Sequence, residues 1–139
     1  MRIVYKKIHA PESRKEIVMN QLTSLFKILS DETRLRILFL LYQEELCVCQ
    51  RTGILKMPQP KISKSLSKLR DLGLVSDDRR EKFVYYSLKR ESKALMKILE
   101  DLDQDIFSYP VLLEDRKGLE NKEYFLSQCG PGECEEGIL

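Results

Sequence analysis

A chain of 139 residues with 42% hydrophobic content carries enough apolar surface for one modest core. Its 24 Lys and Arg offset 22 Asp and Glu to leave a net charge of +2. No stretch approaches the roughly 18 continuous apolar residues of a membrane span, and the opening Met1-Arg2-Ile3-Val4-Tyr5-Lys6-Lys7 lacks the apolar centre of a signal peptide. No membrane-spanning helix is expected and the cytoplasm is the expected compartment, where four cysteines read as metal or redox groups before structural disulfides.

The first periodic segment is Leu22, Leu25, Phe26 and Leu29, spaced i, i+3, i+4, i+7 as on an amphipathic helix. Ser30 or Asp31 can cap the next helix, which is apolar almost all round from Leu35 to Tyr42 and is therefore expected at the centre of the core. Gln43-Glu44-Glu45 ends it. A short helix is expected from about Cys47 to Leu55, followed by the turn Lys56-Met57-Pro58-Gln59 and a fourth helix with Pro60 in its first turn, where a missing N–H costs nothing. Ile62, Leu66 and Leu69 form that helix's inner stripe, leaving Lys61, Ser63, Lys64, Ser67 and Lys68 mostly outward, and Gly73 provides its αL-type stop. Leu74–Asp78 and Phe83–Leu88 have strand character around Arg79-Arg80-Glu81-Lys82, a hairpin with a basic tip. A last helix, about Ser92 to Phe107, presents Leu95, Ile98, Leu99, Leu102 and Ile106 as one stripe that suits either the monomer core or a second protomer. The expected fold is mainly α with a small β-hairpin.

The near-neutral charge is unevenly distributed. Arg51, Lys56, Lys61, Lys64, Lys68 and Arg70 occupy twenty residues without one Asp or Glu, whereas the tail from Val111 has seven acidic residues against three basic. A solvated helix face would intersperse acids; an acid-free block is the footprint of a phosphate-binding surface. Lysines on the fourth helix suit phosphates or guanine edges, and Gln59, Ser63 and Ser67 suit base edges, with Arg79, Arg80 and Lys82 reaching the DNA from the hairpin.

Just before this block stands Glu45-Leu46-Cys47-Val48-Cys49. Residues i and i+2 of an ideal helix are rotated by about 200°, so both thiolates can grip one ion only if the helix start deforms. A ligand that forced this deformation would move the DNA-reading helix that follows, coupling ligand binding to DNA binding. The competing reading is that Cys47 and Cys49 are small buried apolar residues. Against it, Cys47 sits at an N-cap, where a weakly polar thiol does little for the helix.

The ordered segments Asp31-Glu32-Thr33-Arg34-Leu35-Arg36-Ile37-Leu38, Glu45-Leu46-Cys47-Val48-Cys49, Gln59-Pro60-Lys61-Ile62-Ser63-Lys64-Ser65-Leu66, Leu72-Gly73-Leu74-Val75 and Val84-Tyr85-Tyr86-Ser87-Leu88 resemble the signature of the ArsR/SmtB winged-helix repressors. The resemblance covers roughly Gln21 to Phe107 and divides the chain into an N-terminal arm (1–20), a winged helix-turn-helix DNA-binding and dimerisation domain (21–107) and a C-terminal extension with a cysteine-containing tail (108–139). It implies a homodimer on double-stranded operator DNA, paired through its first and last helices, with Leu22, Leu25, Leu95, Leu99, Leu102 and Ile106 as the dimerisation residues. It also implies release from the operator when a ligand binds, and no enzymatic activity. The Glu-Leu-Cys-Val-Cys motif resembles the thiolate sensors of arsenite and antimonite, and those of cadmium and lead.

The chain departs from the family pattern in two respects: Glu81 stands at the wing tip where glycine is frequent, and Arg51-Thr52-Gly53 follows Cys49 where the arsenite sensors commonly carry a third cysteine. The tail Cys129-Gly130-Pro131-Gly132-Glu133-Cys134 is the source expected for the missing ligand, against the alternative of a disordered end with incidental cysteines. Three thiolates suit As(III) or Sb(III), and four suit Cd(II), Pb(II) or Zn(II). Arsenite is favoured as inducer, with Cys47, Cys49, Cys129 and Cys134 as the candidate ligands, while His9 reads as a solvated arm residue. A thiol redox or persulfide switch is the rival sensor chemistry. A thiol enzyme is disfavoured because the chain has no Cys-x-x-Cys and no candidate base beside the cysteines.

Overall fold

The structure, a computed structural model, describes residues 12–127, with side chains from 19 to 47 and from 50 to 127. Helix α1 (Glu12–Leu29) begins well inside the stretch expected as an arm. Helix α2 (Glu32–Gln43) is capped by Asp31, whose carboxylate accepts from Arg34 N–H at 3.0 Å. Its Ile37–Leu41 run is wholly buried, as expected of a helix that is apolar all round. A two-residue strand β1 (Leu46–Cys47) leads into α3 (Val48–Leu55), and Lys56 closes α3 in the left-handed region at φ 57°.

The fourth helix, α4 (Gln59–Asp71), has Pro60 in its first turn and buries Ile62, Leu66 and Leu69. Leu72 is its cap and Gly73, at φ 78°, the following residue. Gly73 N–H bonds Arg70 O and Leu74 N–H bonds Leu69 O, both at 3.0 Å, the paired bonds of a Schellman motif that only a residue tolerant of positive φ completes cheaply. The hairpin is β2 (Val75–Arg80) and β3 (Phe83–Leu88), turned at Glu81 with φ 56°. Together with β1 it makes a three-stranded antiparallel sheet of order β1-β3-β2, in which Leu46 pairs with Tyr86 and Cys47 with Tyr85. Helix α5 (Lys93–Gln104), capped by Ser92, buries Leu95 and Leu99.

Beyond a 3-10 turn at Ile106–Ser108, the chain forms α6 (Pro110–Gly118) and α7 (Lys122–Ser127). Leu112 of α6 joins the single hydrophobic cluster. Asp115, 2% exposed, receives Arg36 Nε and Nη2 at 2.8 Å each. Burial pushes the Asp115 carboxyl up, and the Arg36 fork draws it back only in part. This bidentate pair ties α6 to α2, where an unpaired buried charge would be costly. Arg116 to Asp103 at 2.8 Å adds a second tie, to α5. No helix among the described residues is long and apolar enough to cross a membrane.

Candidate metal centre and nucleic-acid interface

Cys47 has extended backbone (φ −86°, ψ 172°) as the N-cap of α3, while Cys49 is that helix's second residue. The two cysteines therefore straddle a strand-to-helix junction. The geometric conflict expected for two thiols within one ideal helix is eased, because Cys47 lies outside the helix proper. Cys47 is fully buried. It forms a capping box with Gln50, whose Oε1 accepts from Cys47 N–H at 3.0 Å. Among the described residues no three of His, Cys, Asp and Glu converge as a metal-holding group. Of the other expected ligands, the side chain of Cys49 is not described, and Cys129 and Cys134 lie outside the described residues.

The C-terminal extension covers this junction. Gln50 Nε2 donates to Lys122 O at 3.4 Å, and Lys122 Nζ pairs with the Glu44 carboxylate, which raises the lysine's pKa. One turn further along α3, Gly53 lies under the Phe125 ring. A Cβ on Gly53 would stand 2.7 Å from Phe125 Cε1 and closer still to Cδ1 and Cγ, so glycine is what lets α7 pack directly on α3. Gly118 likewise admits Ile54, whose Cγ2 would lie 2.9 Å from an added Cβ.

On α4, Lys61, Lys64 and Lys68 are exposed along one face. Gln59, Ser63 and Ser67 are half-buried, and the Ser63 hydroxyl is enclosed without a hydrogen-bond partner. On the hairpin Arg79, Arg80 and Lys82 are exposed. Arg51, counted in the basic block by sequence, turns inward instead: it is fully buried, donates to Tyr86 O at 3.2 Å, and lies 5.2 Å from the Tyr86 ring centroid. Burial also pushes the Tyr86 phenol up.

Arg80 has local partners. Its Nη1 and Nη2 donate to Glu45 at 2.5 and 2.9 Å, its Nε donates to Asp78 at 3.0 Å, and its guanidinium lies 5.0 Å from the Tyr85 ring centroid. The Arg80 hydrogen bond holds the Glu45 carboxyl below its ordinary range. Of the residues expected at a dimer interface, Leu25, Leu95, Leu99 and Ile106 are buried in the protomer's own core, and Leu22 and Leu102 are half-exposed. Phe26, expected on the inner stripe of the first helix, is 56% exposed. Strand β1 and the cover of α3 by α6 and α7 have no counterpart in the sequence reading. The Gly53 that admits Phe125 was the available signal, since a glycine inside a short helix costs about 1 kcal/mol relative to alanine and so has a packing reason.

The description "Bacterial regulatory protein, arsR family" matches residues 31–77, from the cap of α2 into the hairpin. The chain is similar to arsenic resistance transcriptional regulator ArsR1 of Pseudomonas putida, 42% identical over 89 residues that span 60% of this chain and 70% of that protein. It is also similar to cadmium resistance transcriptional regulatory protein CadC of Listeria innocua, 41% identical over 68 residues, 48% of this chain and 57% of that one. Among solved structures, reduced HlyU from Vibrio cholerae superposes with a TM-score of 0.59 at 29% identity, covering 66% of this chain and 95% of that one. With its helix-turn-helix, basic wing and cysteine-bearing junction, the chain belongs to the ArsR family of bacterial regulators.

Proposed function

We propose that the protein is a homodimeric transcriptional repressor that holds double-stranded operator DNA through α4 and the wing and is released by As(III) or Sb(III) bound to cysteine thiolates. The observation that carries this reading is the position of Cys47. It ends the strand laddered to the wing and begins the helix that precedes α4, so any change of backbone at Cys47 is felt by both DNA-reading elements. When bound, the metal(loid) supplies soft Lewis acidity that thiolates satisfy and hard oxygen ligands do not.

Cys47 and Cys49 would hold it from the junction, and the path of α7 bears on the third donor. Lys122 lies at Gln50 and Phe125 at Gly53, so α7 advances along α3 away from the Cys47 end. Cys129 follows Ser127 by two residues and Cys134 by seven, spans of at most about 7 and 24 Å. Cys134 has the slack to return to the junction. Of the expected dimerisation residues, Leu22 and Leu102 keep surface exposed for a partner protomer, Leu102 while also packing on the core.

The similarity to a cadmium regulator supports a second reading, a four-thiolate site for Cd(II), Pb(II) or Zn(II). Titrating the reduced protein on its own promoter DNA with arsenite, antimonite, cadmium, lead and zinc separates the two. Arsenite should release the parent, while Cys47→Ser and Cys49→Ser each bind DNA normally and resist release. Lys64→Glu should bind DNA far more weakly while keeping its fold and dimer. Release by cadmium alone selects the second reading, and release that requires an oxidant selects a redox switch.

A further inference from the structure

The sheet order places β1 and β2 on opposite edges, with β3 between them. Glu45, immediately before β1, and Arg80, the last residue of β2, nevertheless meet in a two-bond fork. Arg80 must therefore reach over β3, about 10 Å from edge to edge. It does so across Tyr85, the β3 residue that pairs with Cys47 in the ladder. Asp78 receives its remaining Nε and fixes the plane of the guanidinium. The β1–β3 ladder is only two residues long, and this side-chain bridge joins the thiol-bearing strand to the wing beside it.

We propose that Glu45 and Arg80 form a cross-sheet clamp that positions the wing from the thiol-bearing strand, making Glu45 a positioning residue for ligand-dependent release of DNA. The inference rests on the reading of Cys47 as a ligand. Exposed ion pairs contribute little to folding, so the clamp's effect belongs in the coupling between strand and wing. Its directional content is that a shift of Glu45 with β1 carries Arg80, and hence the end of β2, in the same direction. In this role Arg80 spends its hydrogen bonds inside the protein, on Glu45 and Asp78.

The test uses the full chain as Glu45→Gln, which removes the acceptor charge, and as Arg80→Lys, which keeps the cation but loses the fork. In the ligand-free protein, amide exchange of wing residues 77–86 should rise about tenfold in both variants while α2 amides stay protected. With arsenite as the probe, Glu45→Gln should bind with the parent's stoichiometry, followed by sulfur-to-arsenic absorbance. Its ratio of DNA affinities without and with arsenite should nonetheless fall at least about fivefold below the parent's. Unchanged wing exchange overturns the clamp. Faster exchange with an unchanged ratio overturns its part in release. Failure of arsenite to release even the parent overturns the sensor reading itself, a result visible without either variant.

Discussion

Replacing Gly53 by alanine sets two effects of opposite sign against each other. Alanine in a helix interior is favoured over glycine by about 1 kcal/mol. The added Cβ, however, would lie 2.7 Å from Phe125 Cε1 and nearer to two other ring atoms, so the half-buried ring must leave its seat. Full burial of such a side chain stabilises by about 1.5–3 kcal/mol, and lost contacts add to this, so vacating a half-buried seat costs about 1.5–2 kcal/mol. The net expectation is a loss of about 0.5–1 kcal/mol for Gly53→Ala. In a Phe125→Ala background the obstacle is gone, and the same substitution should stabilise by about 1 kcal/mol. A double-mutant cycle by urea unfolding therefore expects a coupling of about 1.5–2 kcal/mol, with faster amide exchange in residues 122–127 of Gly53→Ala alone. Additive effects would refute the packing of α7 on α3.

Asp115→Ala should cost about 3–5 kcal/mol in chemical denaturation, because it strands the largely buried Arg36 guanidinium; a loss below about 1 kcal/mol would mean that α6 is not held by this pair. Leu99→Ala should destabilise the protomer by about 2–5 kcal/mol, since the side chain is fully buried. Leu102→Asp, at a half-exposed position, should instead shift sedimentation toward monomer with a smaller loss of folding stability. If the two exchange behaviours, α5 faces the partner with its inner stripe.

The helix-turn-helix was legible because its signals are local. Asp31, Pro60, Gly73 and Ser92 each serve a backbone terminus, and Ile62, Leu66 and Leu69 fall at helical spacing. What the sequence left open depends on contacts distant in the chain. Arg51 belongs to an acid-free block by position, yet its guanidinium turns inward onto a carbonyl and a ring 35 residues away. Leu95 and Leu99 fit a core or a dimer stripe equally well, because periodicity states that a face is apolar without stating what covers it. The extension's charges registered only as an acidic excess, whereas Asp115 and Lys122 find partners 79 and 78 residues away, on α2 and just past its end. Strand β1 is two residues long, too short for any alternation to register.

Arsenic K-edge absorption on the arsenite complex of the full chain counts the sulfurs around the metalloid. Three are expected, contributed by Cys47, Cys49 and Cys134, falling to two in Cys134→Ser and in a chain ended at Ser127 but staying at three in Cys129→Ser. Two sulfurs in the parent, or three that survive loss of the tail, would contradict a sensor closed by the C-terminal cysteine.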